Sequence, residues 1–138
     1  MPASNLDLAR EALDAFSRGD FQGCISMMDP KVEWHLVFPL PDLPPEKTVF
    51  RGRDEVWDLF RVFRDVWDEL TIELEEAVHD EGDLLIIRVR FRGQGHGSGV
   101  QVDRVVFLLQ ELRDEKLLRQ LPFESEAEAR RAAGLDDG

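Results

Sequence analysis

LTIELEEAVHDEGDLLIIRVRFRGQGHGSGVQVDRVVFLLQELRDEKLLRQLPF, residues 70–123, decides the fold of this chain. It reads as four long strand runs separated by short turns. Glu81-Gly82 is a two-residue turn that sets Glu75 opposite Arg88 and Glu73 opposite Arg90. The same register puts Ile72 beside Phe91 and Leu74 beside Val89. One face then pairs charges while the other buries hydrocarbon, and a slip of one residue would exchange the two faces. The glycine-rich run Gly93–Gly99 links the second hairpin, and Asp114-Glu115 closes the third, with Leu109 opposite Gln120 and Phe107 opposite Pro122. On this reading Trp34, Phe107 and Leu109 point inward with Val89 and Phe91, whereas Val102, Val106 and Leu108 point outward.

Helical sequence lies almost entirely before these strands. Asn5 caps a first helix in which Leu6, Ala9, Leu13 and Phe16 recur at helical spacing. Gly19 stops it, Asp20 caps a short second helix, and Asp29-Pro30 ends that one. Val32–Leu36 alternates as a half-buried strand does. Gly52 and Asp54 open a third helix running to about Trp67, whose Val56, Trp57, Leu59, Phe60, Phe63, Val66 and Trp67 make a broad apolar face. Residues 125–133 form a short charged helix ended by Gly134, and the tail frays from about residue 135. Helices followed by strands predict an α+β fold: a strongly curved, mainly antiparallel sheet wrapped around three N-terminal helices, with an internal pocket, in a single domain over 1–138. Residues 37–50 carry four prolines and form neither helix nor ladder; such a loop serves either as a lid or binding loop or as a plain surface connection.

Composition narrows the function classes. A net charge of -12 disfavours nucleic acid and anionic membrane surfaces as partners. No apolar run is long enough to span a bilayer, and the N-terminus lacks the basic stretch of a signal peptide. The one cysteine, Cys24, forms no internal disulfide, which fits the cytoplasm. His35, His79 and His96 are scattered without metal-ligand spacing, so neither a metal nor a cofactor is expected.

Asp29-Pro30-Lys31-Val32-Glu33-Trp34-His35, Phe50-Arg51-Gly52-Arg53-Asp54-Glu55-Val56, the glycine-rich turn within 92–102 and the closing run 127–135 together resemble the SnoaL-like family of the nuclear-transport-factor-2-like superfamily. Ketosteroid isomerase, limonene epoxide hydrolase and polyketide cyclases share that cone-shaped fold. The catalytic positions the resemblance implies are not matched. Trp34 stands where the isomerase has its general base and Phe107 where it has a protonated aspartate; a chain without Tyr lacks its oxyanion donor. Pro122 falls on the cyclase aspartate. Asp103 and Arg104 are adjacent on one strand and point to opposite faces, which breaks the hydrolase cluster.

Two readings remain. The first is a pocket for a small hydrophobic molecule lined by Trp34, Phe38, Trp57, Phe60, Phe63, Phe91 and Phe107, with Gln120 as a polar anchor. The second is a small-molecule enzyme of isomerase, cyclase, dehydratase or hydrolase type, with Asp103, on the inward parity of Phe107, as its acid–base residue. The resemblance also implies a homodimer through the outer sheet face. Arg88, Arg90, Val106 and Leu108 would meet a second copy there, since three apolar side chains with Val102 would otherwise leave a patch in water.

Overall fold

Ser4 and Asp20 open the first two helices in the computed structural model of the chain, which describes residues 4–36, 46–97 and 99–135. The Ser4 hydroxyl accepts from the Asp7 amide at the start of α1 (Asn5–Ser17), so the cap lies one residue before the expected Asn5. Gly19, at φ +85°, turns the chain, and the Asp20 carboxylate accepts from Gly23 N to start α2 (Phe21–Ser26). Met28 already belongs to β1 (Met28–His35), so Asp29-Pro30 lies inside a strand end instead of closing the helix. A short β2 (Val49–Arg51) pairs with β1 and leads directly into α3 (Gly52–Val66). Four long strands follow: β3 (Trp67–Glu81), β4 (Leu84–Gly95), β5 (Gln101–Arg113) and β6 (Lys116–Phe123), and then α4 (Glu126–Ala132).

The sheet has six strands in the order β2-β1-β6-β5-β4-β3, curved and unclosed. All neighbours are antiparallel except β1 and β6, which run parallel with Trp34 beside Gln120. The helices α1, α2 and α3 cover its concave face, and the expected α+β cone is the fold observed. No helix among the described residues is long and apolar enough to cross a membrane.

The first hairpin keeps the expected pairs Ile72–Phe91, Glu73–Arg90 and Leu74–Val89, but its turn is displaced. Glu81 pairs with Leu84, so the chain reverses at Gly82-Asp83, and two bulges in β3 absorb the two-residue difference. One bulge takes Glu75 out of the ladder and puts Glu76 opposite Arg88. The Asp114-Glu115 turn is as expected, with both residues at positive φ. A bulge at Leu118 then shifts the rest of that hairpin by one, so that Gln110, and not Leu109, faces Gln120, and Phe107 faces Phe123.

The parity of β5 is the main correction. Ile87 pairs with Leu108 and Val89 with Val106, and all four belong to the central core. Val106 and Leu108 are therefore buried against the helices and are not available to a second copy of the chain. Phe107 and Leu109 face the other way, where α4 lies over them with Ile86, Leu121, Phe123 and Ala129 in a second small core. The reason is visible in the chain: Val105–Leu109 is apolar at every position, with Leu108 and Leu109 buried on opposite faces although Val105 stays exposed, so alternation gives no parity there. Nor does the glycine-rich sequence between β4 and β5 specify one turn, so it leaves their register open. Asp103 shares the outward parity of Phe107. Trp57, expected inward, stands 38% exposed on the outer side of α3.

Candidate functional site

The centre of the concave side is an aromatic cluster built on Phe60 of α3. Its ring centroid lies 5.1 Å from Phe16, 5.3 Å from Phe21, 5.4 Å from Trp34 and 6.1 Å from Phe63. Several of these contacts are edge-on, the arrangement that the ring quadrupole favours. Helical spacing places Val56, Phe60 and Phe63 on one side of α3, and alternation brings Val32 and Trp34 to meet them from β1. Of the residues expected to line a pocket, Trp34, Phe60, Phe63, Phe91 and Gln120 are brought together in this interior, all of them buried. Phe107 and Trp57 are not part of it, and Phe38 lies outside the described residues, as does most of the 37–50 segment read as a lid or a plain connection.

Beneath the cluster lies a small cavity of about 20 Å³, walled by Cys24, Met27, Met28, Trp34, Gln110 and Gln120 among others. That is room for roughly one water. Gln110 and Gln120 are the buried polar side chains among the described residues. Gln110 Nε2 donates to Gln120 Oε1 at 2.7 Å, whereas Gln120 Nε2 is buried with no hydrogen-bond partner. Burial, and secondarily the nearby Asp20 carboxylate, push the Cys24 thiol up to about 12, so it is a neutral, unreactive wall at physiological pH.

One step up the same face, beyond Trp34 and Gln120, Leu36 and Pro122 border an open pocket of about 210 Å³. Val106 and Arg104 of β5 complete it, with Glu124 and Glu128 at its edge. Arg104 Nη2 donates to Glu124 Oε1 at 3.1 Å, and both side chains reach solvent. An open groove of about 270 Å³ separates the end of α1 from the end of α3, with Phe16, Phe21 and Phe63 beneath it and Arg18 and Arg64 along it.

Asp103 sits on the opposite side of the sheet. Its Oδ1 accepts from Arg90 Nη1 at 2.9 Å and lies 3.8 Å from Arg92, with 58% of the side chain exposed. Arg90 also donates to Glu75, and these two carboxylates, Glu75 first, raise its pKa. His35 bonds Glu33 at 2.8 Å and His96 bonds Asp68 at 2.9 Å, each in a separate partly or fully exposed pair. Among the described residues no group of three or more His, Cys, Asp or Glu could hold a metal ion. Sequence reasoning missed Gln110 and, by setting Asp103 inward, put Arg104 on the outer face. Gln110 ends the apolar run Val105–Leu109, a usable signal, but its direction depends on the β5 register.

The sequence model of the SnoaL-like domain family matches residues 9–120. No curated protein matches the chain. Among solved structures, an NTF2-like protein from Burkholderia thailandensis is 22% identical with a TM-score of 0.74, over 96% of this chain and 98% of that one. A hypothetical protein with the ketosteroid isomerase-like fold from Catenulispora acidiphila, in complex with trimethylamine, is 11% identical with a TM-score of 0.73, over 97% and 96%. IdmH, a candidate polyketide cyclase from Streptomyces antibioticus, is 17% identical with a TM-score of 0.69, over 94% and 98%. At these identities the likeness is one of fold.

Proposed function

Since the chain belongs to the SnoaL-like domain family, whose fold carries both enzymes and binding domains, we propose that it binds a small hydrophobic molecule on the concave face of its sheet, without acid–base chemistry of its own. The observation that carries this reading is the polar content of the interior. The buried polar side chains among the described residues are two amides, which do not titrate, set in aromatic and aliphatic walls. A general acid or base must lie within hydrogen-bond reach of the reacting atom. Asp103 is held instead by Arg90 on the other side of the sheet. The cytoplasmic assignment belongs to the same proposal and is supported by Cys24, a buried free thiol.

A thermal-shift screen against a metabolite library tests it, because a molecule that binds only the folded chain raises the melting temperature by mass action. The expected hits are uncharged apolar molecules that perturb the Trp34 and Phe91 resonances. Hits confined to the groove beside Arg18 and Arg64, or rapid turnover of a bound molecule that Asp103→Asn abolishes, would overturn the reading.

A further inference from the structure

We infer that the Gln110–Gln120 amide pair is the polar anchor of the site, and that the molecule bound there presents an uncharged hydrogen-bond acceptor, such as a ketone or amide carbonyl, to Gln120 Nε2. This deepens the ligand-binding reading above and rests on it. Gln110 spends an N–H on Gln120 Oε1, at 2.7 Å. That bond fixes the Gln120 amide with its oxygen toward Gln110 and leaves its NH2 group as the unpaired side. Gln120 is 1% exposed and lines the cavity, so its free N–H can be met only by something inside that cavity, a single water or an oxygen of a bound molecule that displaces it. A buried donor without an acceptor is a standing cost to the fold that a carbonyl oxygen would remove.

Three further observations shape the molecule. Among the described residues no charged side chain lines the cavity, so a carboxylate or ammonium group would be buried there without a counter-charge from them. The cavity itself takes only a group the size of one water, which fits a carbonyl oxygen and not a whole ligand. The open pocket walled by Leu36, Val106 and Pro122 lies on the same face, each of these residues two positions along the chain from Trp34, Leu108 and Gln120 respectively. Met27 and Met28 beside the cavity are unbranched thioethers that repack readily as the carbonyl enters.

The test compares cyclohexanone, methylcyclohexane and cyclohexanecarboxylate on the wild-type chain and on Gln110→Leu/Gln120→Leu. The double variant removes both partners at similar volume, so no buried amide is orphaned. In the isotope-labelled wild-type chain, cyclohexanone is expected to shift the Gln120 side-chain amide resonances. Its affinity should fall about tenfold in the double variant, while that for methylcyclohexane holds or rises. Methylcyclohexane binding with no ketone loss in the double variant would overturn this inference and leave the ligand-binding reading intact. So would cyclohexanecarboxylate binding as tightly as the ketone. If neither neutral probe binds the wild-type chain, both fall together.

Discussion

Even- and odd-numbered residues of β5 live in different worlds. Val106, Leu108 and Gln110 face α1–α3 and the aromatic cluster; Asp103, Val105 and Phe107 face an ion-pair lattice and the thin cover of α4. In the buried part of the concave face the polar side chains among the described residues are neutral amides bonded to each other, and the Arg104–Glu124 pair lies at its open end. On the convex face they are arginines and carboxylates: Arg88 with Glu75 and Glu76, Arg90 with Glu75 and Asp103, Arg92 with Glu73. The difference shows how the molecule partitions charge. Ions stay where water can share the cost of solvating them, and the interior accepts only groups that remain neutral.

The sharpest way to break this comparison is to put one charge on each side of the same strand. Val106→Glu buries a carboxylate where 2% of the residue is exposed. It is expected to cost about 4 kcal/mol or to prevent folding, read by denaturant titration. Val105→Glu, one residue away and 36% exposed, should stay within about 0.5 kcal/mol. Equal effects would mean that the parity assigned to β5 is wrong. Next in size is Gln120→Leu alone, which strands the Gln110 N–H group and should cost about 1–3 kcal/mol, whereas adding Gln110→Leu should restore most of it. Additive losses would show that the amides act independently.

On the convex face the effects should be smaller. Asp103→Asn removes one partner of an exposed pair and should cost less than about 1 kcal/mol, with the difference shrinking in high salt. Smallest is the pH response at the start of α3. The Lys47 ammonium, and then the Arg51 amide, bond the Glu55 carboxylate and hold its pKa below the ordinary value. A carboxyl depressed in the folded state contributes stability above its unfolded pKa, and that contribution is lost as pH falls through the folded value. Acid titrations of the wild-type chain and of Lys47→Met should therefore converge at low pH and separate slightly near neutrality.

Much of the architecture was legible from the residues because independent signals agreed. In the β3–β4 hairpin the charge pairs and the apolar pairs demanded the same register, and it survives where Ile72 meets Phe91 even though the turn moved to Gly82-Asp83. Those two displacements cancel through bulges, which have no mark in the sequence as plain as a turn has. The site was read less well for one reason. Val105–Leu109 is apolar throughout, so nothing local said which side faces the helices, and Asp103 and Phe107 were assigned to the wrong face together. Trp34, Phe60, Phe63 and Phe91 lie inside as expected because alternation or helical spacing fixed each of them without reference to β5, whereas Gln120 faces inward only because the Leu118 bulge offsets the wrong parity of β5. Gln110 and Arg104 could be recognised only after the β4–β5 register was known.

The parallel pairing of β1 with β6 has a consequence for how the chain comes into being. Trp34 and Gln120 lie far apart along the chain, yet they are neighbours. Contacts between segments so distant along the chain form late, since the intervening loop must first be closed. The Gln110–Gln120 pair is local, ten residues apart across the β5–β6 hairpin, but its burial against Trp34 is completed only when β6 docks beside β1. Until then Trp34 and the faces of α1 and α3 have no completed sheet to cover them, and the nascent chain presents its future interior to whatever apolar surface is nearby.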